Sequence, residues 1–303
     1  MKFHDIVRDI KTLKIQGAEH IAREGVRSLL LILQESHAVT RESLLAELYH
    51  ARDLLVAARP TEPCLRNALT YVFENIYSTT DDTIFSHVLT QRIQEALVFF
   101  SAAQIRIAVL GATKIRHHSI IYTHCHSSTV VAILLEAKKQ GKKFVVHNTE
   151  TRPLFQGRIT AIQLAKAGIS VKHFVDGAAG IAMKDAHLCL FGGDAITSYA
   201  VYNKIGSGIF AELASKRDIP LYICSNSWKN DPFATRVHKE VVEERESSEV
   251  WKDAPSFVDV QDPAFEAIIY PHIHSIISEL GILTPSTFLK TVKQKYFWMY
   301  KKR

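Results

Sequence analysis

Apolar residues recur every three to four positions through the first third of the chain, then give way to short unbroken runs. The stretch "HIAREGVRSLLLILQES" carries Ile21, Val26, Leu29, Leu30 and Leu33 on one stripe, the spacing of an amphipathic helix. "TRESLLAELYHARDLLVAA" repeats the pattern with Leu44, Leu45, Leu48, Leu54 and Leu55, and opens on Thr40 as an N-cap with Glu42 in the first turn. A proline-marked turn over 59–63 follows, and the helical period resumes through "DTIFSHVLTQRIQEALVFFSAAQIRIAVLGATKI". Residues 1–112 therefore read as a helical N-terminal domain.

From about residue 115 the pattern changes. Runs rich in β-branched residues at 119–124, 143–148, 170–176, 186–193 and 219–225 alternate with helical stretches at 128–142, 157–168, 177–185 and 203–218. That alternation predicts β-α-β units and a mainly parallel sheet, an α/β domain over 113–303. Several of these strands end in polar residues: His124 and Cys125, Asn148 to Glu150, Asp176, Gly192 to Asp194, and Ser225 to Ser227. Sites in such sheets lie beyond the carboxyl ends of the strands, so these ends are expected to converge on one crevice. Residues 230–265 read as a charged loop, and 265–300 as helical again.

Composition narrows the function classes. The chain has 303 residues, 47% hydrophobic and 22% charged, ordinary values for a globular protein. No apolar run approaches the roughly 18 residues of a membrane span, and "MKFHDIVRDIKTLKIQ" mixes charges where a secretory leader would be apolar. The expectation is a cytoplasmic protein without a membrane segment. The four cysteines are widely spaced and form no C-x-x-C pair, which predicts free thiols rather than a disulfide framework. A net charge of +6 favours anionic partners. The basic residues are scattered and match no nucleic-acid-binding signature, leaving a small phosphorylated molecule as the expected partner.

Cys125, in "YTHCHSST", follows a strand and precedes a helix. The positive end of a helix dipole lowers a thiol pKa there; a small buried filler is the other reading. Asp194, in "FGGDAIT", is either a helix cap or a general acid/base. "YNKIGSG" places Asn203 and Lys204 at the expected head of a helix, which would make an anion site. Arg59 and Arg152 each begin an Arg–Pro pair and could clamp phosphates or form surface salt bridges. The many histidines include no ligand quartet at recognised spacing, so no metal is expected.

Taken in order, "IQGAEHIAR", "ARPTEPCLRNAL", "YTHCHSS", "TETRPLFQGRITAIQLAKAGI", "VDGAA", "GGDAIT" and "NKIG" cover about residues 14–230. In this the chain resembles the sugar-phosphate isomerases related to the regulatory subunits of eukaryotic translation initiation factor 2B. Within that superfamily it looks most like the ribose-1,5-bisphosphate isomerases. The isomerases carry the Cys of "THC" and the Asp of "GAD", here Cys125 and Asp194; the regulatory subunits generally lack the pair.

The resemblance implies a helical domain packed on a Rossmann-like domain, and an aldose–ketose isomerase converting ribose 1,5-bisphosphate to ribulose 1,5-bisphosphate. Asp194 would protonate the ring oxygen or shuttle protons during ring opening, and Cys125, partly as thiolate, would handle the C2 proton. Phosphates would be held by Arg59, Arg152, Lys204 and the backbone N–H groups of Gly17 and Ala18. Asn203 would hold a sugar hydroxyl; His124, Ser127 and Gln156 would complete the binding set. No cofactor is implied, and a homo-oligomer, dimer or higher, is. The alternatives are a methylthioribose-1-phosphate isomerase or a non-catalytic regulatory subunit. The chain departs from the pattern at Gln16, where the family has arginine, and at the acidic Asp81 and Asp82 of "YSTTDD".

Overall fold

A computed structural model describes residues 2–74, 82–234 and 245–301. The side chains of Asp81 and Asp82 lie outside that description. The helices come first: α1 (Phe3–Lys11), α2 (Ala18–Glu35), α3 (Arg41–Ala58), α4 (Pro63–Phe73) and α5 (Asp82–Ala112). Thr40 caps α3 as its sequence predicts, its side chain accepting from the Ser43 N–H, one of the helix donors with no partner inside the helix. Pro63 opens α4, where its missing N–H leaves no hydrogen bond unmade.

By length and mean hydropathy alone, Phe85–Ala112 of α5 could cross a membrane. Its apolar residues are used otherwise. Phe85, Leu89, Ile93, Ala96 and Phe100 enter the main core, and Ile107 and Ala112 enter a second cluster with residues of the α/β segment.

The α/β segment runs β1 (Ser119–Thr123), α6 (Ser128–Lys139), β2 (Phe144–Thr149), α7 (Gln156–Lys166), β3 (Ser170–Phe174), α8 (Ala179–Ala182), β4 (Leu188–Phe191), β5 (Ala195–Ile196), β6 (Ala200–Lys204), α9 (Ser207–Lys216), β7 (Leu221–Cys224), β8 (Phe265–Ile269), β9 (Ser275–Ser278), β10 (Gly281–Leu283) and α10 (Pro285–Lys295). Among the described residues the main sheet has seven strands in the order β10-β9-β7-β4-β1-β2-β3. Its pairings are parallel except at β10. β4 and β7 are buried at every position, which is why they read as unbroken apolar runs. β3 closes one edge and is largely exposed. The fold is thus the expected one, a helical N-terminal segment on a Rossmann-like, mainly parallel sheet.

The strand order reverses between β1 and β4, because the chain builds β1, β2 and β3 to one side and β4, β7 and β9 to the other. A crevice opens at such a reversal, beyond the carboxyl ends of the two central strands. Cys125 follows β1 and Asp194 follows β4, so adjacent strands deliver two residues that are far apart in sequence.

Two local expectations need correction. "FEAIIYPHIHSIISELG" is not helical but carries β8, β9 and β10. Its isoleucine pairs sit in short strands, and Pro271 interrupts the stretch in a 3-10 turn. Asn203 and Lys204 do not head a helix; they end the fully buried strand β6. β6 is the centre of a small antiparallel sheet, β5-β6-β8, and α9 starts only after Gly206, whose φ of 94° suits glycine.

Polar contacts hold the helical segment to the loop after β7. The Asn67 amide donates to the carbonyls of Trp228 (2.8 Å) and Asn230 (2.7 Å). Asn226 donates to Glu19 on α2 at 3.2 Å, and Arg66 pairs with Asp231 at 2.6 Å. Between them the Trp228 ring stacks on Phe99 of α5 with centroids 4.0 Å apart.

Gly157 marks the closest backbone approach near the sheet's carboxyl end. A Cβ there would lie 1.8 Å from the Thr149 carbonyl oxygen, which is backbone and has little freedom to yield. Gly157→Ala is expected to lower the unfolding free energy by at least about 2 kcal/mol. Urea denaturation measures this, and an unchanged midpoint would show that the α7–β2 approach is not fixed.

Candidate active site

β1 ends on three residues that each anchor the turn differently. The Thr123 hydroxyl donates to the Leu190 carbonyl at 2.7 Å, tying β1 to β4. His124 is 2% exposed and lies behind the site, not on its wall. Its Nε2 is 2.8 Å from the Ile205 carbonyl, which can only accept, so Nε2 carries the proton. Nδ1 therefore accepts from the Thr149 hydroxyl at 2.7 Å. Burial pushes its pKa down to about 4, with partial relief from the Ile205 carbonyl and Asp176. His124 is a neutral brace between β1, β2 and the β6–α9 turn.

Cys125 adopts a left-handed backbone, with φ of 67°, a conformation costing a non-glycine residue roughly 1–2 kcal/mol. The surroundings impose it. The Cys125 N–H donates to the Thr151 hydroxyl at 3.0 Å, and its carbonyl accepts from the Thr160 hydroxyl at 2.9 Å. Ser127 then caps α6, its side chain accepting from the Val130 N–H. The thiol is thereby turned into the crevice. Its pKa is not lowered as the helix terminus suggested. Burial pushes it up to about 12; the His126 N–H and the Lys204 ammonium offset part of this, and the Asp194 charge adds to it. Desolvation outweighs the dipole, and the resting group is a neutral thiol within electrostatic range of Asp194.

Asp194 sits in the turn from β4 to β5, with its N–H donating to the Tyr202 carbonyl at 2.8 Å. It caps no helix. Gly192 permits this turn to lie close to the start of α6, since a Cβ there would come 3.0 Å from the Ser127 Cβ.

Cys125 and Asp194 line one cavity of about 400 Å³, together with Gly17, Ala18, Arg59, Ser127, Gln156, Asn203 and Lys204. The size falls within the range of small-molecule sites. Gly17 (φ 86°) precedes α2, so the first N–H groups of that helix are without intrahelical partners and lie at the cavity. Arg59 and Glu62 form a buried pair at 3.1 Å where α3 meets α4. Asn203 donates to the Ser207 hydroxyl at 2.8 Å. The Gln156 Oε1 is buried with no hydrogen-bond partner, a vacancy a ligand hydroxyl could fill. Burial lowers the pKa of Lys204, and proximity to Cys125 raises it again. Gln16 also reaches the wall, but its amide turns back to donate to the Leu13 carbonyl at 2.6 Å.

Arg152 is not brought to the cavity. Its backbone N–H donates to Asp176 at 2.7 Å, and its guanidinium donates to the Val250 carbonyl at 2.9 Å. Two cationic wall residues escaped the sequence reading. Lys229 follows β7, and its ammonium donates to the Gly193 carbonyl at 2.7 Å; the strand-end rule reached Ser227 and stopped short of it. Arg245 comes from the charged stretch after β7, where no pattern separates it from its neighbours. Among the described residues no group of three His, Cys, Asp or Glu side chains could hold a metal ion.

Residues 14–285 match the Initiation factor 2 subunit family. The chain belongs to that family. It is 33% identical to the ribose 1,5-bisphosphate isomerase of Pyrococcus furiosus, over 99% of this chain and 95% of that one. It is 30% identical to the methylthioribose-1-phosphate isomerase of Pelotomaculum thermopropionicum, over 94% and 83%. Among solved structures it is similar to the translation initiation factor eIF-2B of Pyrococcus horikoshii, with a TM-score of 0.82 and 27% identity over 94% of this chain and 98% of that one. The relatives named as isomerases place this chain among enzymes.

The His124 brace has a pH signature. Its folded pKa, near 4, lies below the unfolded value of about 6.5. The neutral form is the one that folds, so its contribution is complete above about pH 6.5 and is lost as the pH falls towards 4, a difference of roughly 3 kcal/mol at most. Wild type should lose stability over that interval more steeply than His124→Gln. Urea unfolding at several pH values reads the difference, and parallel slopes would show that His124 is not the buried titrating group.

Proposed function

We propose that this enzyme is an aldose–ketose isomerase that converts ribose 1,5-bisphosphate to ribulose 1,5-bisphosphate. The observation that carries the reading is the opening of Cys125 and Asp194 onto one cavity, with phosphate-binding groups around them. Arg59, Lys204 and the N–H groups at Gly17 and Ala18 are the phosphate ligands. Asn203, Ser127 and Gln156 hold sugar hydroxyls. Residues 1–112 and 113–303 act as two domains, the first supplying one wall and the second the catalytic pair. The setting is cytoplasmic and the assembly a dimer or higher, without nucleic acid, membrane, metal or redox cofactor.

The reaction moves hydrogen from C2 to C1. The proton of the Cys125 thiol passes first to the Asp194 carboxylate and returns at the end of the cycle; the thiolate takes the proton from C2 while the bond between C1 and the ring oxygen breaks. Asp194 gives its proton to that oxygen. The intermediate is an enol with its double bond between C1 and C2. The Cys125 thiol returns its proton to C1, Asp194 accepts the proton of the 2-hydroxyl, and C2 becomes the ketone. Both side chains finish as they began, and no external oxidant or reductant enters. The Lys204 ammonium supports the Cys125 thiolate at the moment of transfer.

A second reading has a specific observation behind it. Leu13, Ile159 and Phe265 give the cavity an apolar section, which would suit the thioether of methylthioribose 1-phosphate. Following ketose formation by NMR with each substrate separates the two. Conversion of the bisphosphate is expected, with Cys125→Ser and Asp194→Asn each slower by about 10²–10⁴. Turnover of neither substrate would sink the enzyme reading in favour of a regulatory subunit.

The protonation state of Cys125 is open to a direct check. Only the thiolate is alkylated by iodoacetamide, so a thiol with a pKa near 12 should react slowly at neutral pH. Its rate, followed by mass spectrometry at Cys125, should climb about tenfold per pH unit to at least about pH 10. A plateau near neutral pH would mean that the helix terminus, not burial, governs the thiol.

A further inference from the structure

We propose that Asp176 is a positioning residue for the reaction, holding the Cys125 turn in place through Thr151. The inference rests on the reading of Cys125 as the group that moves the C2 proton.

Asp176 belongs to the stretch "VDGAA", which no step of the proposed reaction uses. It follows β3, as Thr151 follows β2 and Cys125 follows β1. Those three strands are neighbours in the sheet, so their carboxyl ends lie side by side. Hydrogen bonds join the ends in one line. The Thr151 N–H donates to Asp176 Oδ1 at 2.8 Å, and the Arg152 N–H donates to Oδ2 at 2.7 Å. From the other side of the same turn, the Thr151 hydroxyl accepts from the Cys125 N–H at 3.0 Å.

Thr151 needs such a hold. It is buried and left-handed, with φ of 64°, a region that a β-branched residue rarely occupies. Its carbonyl accepts from the Phe155 N–H at 2.8 Å, and its own N–H is fixed by Asp176. Two N–H groups that point at one side chain need two acceptors. An ionised carboxylate gives an oxygen to each, whereas an asparagine amide would turn its NH₂ towards one of them. The bonds to a charged acceptor are the stronger kind. Cys125 is left-handed as well, with φ of 67°, so both unusual turns depend on one grip. An edge strand that is largely exposed thereby sets where the thiol stands, and a misplacement of about 1 Å at a reacting group can cost about a hundredfold in rate.

Steady-state kinetics with ribose 1,5-bisphosphate, beside iodoacetamide alkylation of Cys125 at one fixed pH, tests the assignment. Asp176→Ala and Thr151→Val should each lower kcat by about tenfold to a hundredfold, with KM within about threefold of wild type. Thr151→Ser restores the acceptor and should recover most of the loss. Because the two residues act in one line, the double variant should be slower than the slower single variant by no more than about twofold. Alkylation should quicken in both single variants as the thiol leaves its fixed turn. The Asp176 charge itself helps to raise the Cys125 thiol, and Thr151→Val leaves that charge in place, so a faster reaction there reports position. If Asp176→Ala does not fold, Asp176→Asn keeps one acceptor and should show a smaller loss of the same kind. Unchanged alkylation, losses that multiply in the double variant, a loss confined to KM, or a Thr151→Ser as slow as Thr151→Val overturns the proposal. A wild type that isomerises no sugar phosphate would remove the proposed reaction, and the alkylation rates would still decide whether Asp176 holds Cys125.

Discussion

A parallel sheet with a reversed strand order offers a crevice, but an open one. Here it becomes a cavity because the helical segment is fastened to the loop that leaves β7. The Asn67 amide, with both hydrogens on carbonyls of that loop, is the centre of the fastening, and the Trp228 ring packed on Phe99 keeps it dry. A buried carbonyl without a donor is costly, so the loop and α4 hold each other in a single register. From that register follow the position of α2, whose N-terminus faces the cavity, and of Arg59 at the end of α3. Cys125 and Asp194 come from the sheet and the helical wall from elsewhere in the chain, and the polar contacts grouped around Asn67 set their relation.

The electrostatics of the site follow from its enclosure. The same burial that raises the Cys125 thiol lowers Lys204 and His124, each towards its neutral form. Burial thus works against charge on each of the three, and a bound anion would work the other way on Lys204.

Where the chain repeats a period over many residues, its structure was legible. The stripe of α2, the Thr40 cap of α3 and the alternation that builds β1 to β4 all appear as read, because long apolar patterns are set by burial and little else. The convergence of Cys125 and Asp194 was legible too, since the strand-end rule depends only on topology. Between 265 and 281 the apolar runs are too short to separate strand from helix, and β8 finds its place by pairing with β6, a contact no local pattern records. β6 itself was hidden inside a glycine-rich stretch that reads as a helix start. Motif matching put Arg152 and His124 at the ligand. Their side chains hold backbone carbonyls, at Val250 and Ile205, and sequence carries no signal for where a long side chain turns. Arg245 illustrates the converse, a cavity-wall charge that no pattern separates from the charged stretch around it.

The left-handed turn at Cys125 has a consequence for descent. Glycine and asparagine occupy that backbone region more comfortably than cysteine, and the threonine hydroxyls that hold the turn bind the main chain, not the thiol. Glycine or asparagine at 125 would therefore relax the peptide while leaving the cavity standing. On the isomerase reading, one substitution could remove the chemistry and keep the pocket, so catalysis on this scaffold would persist against a conformational slope.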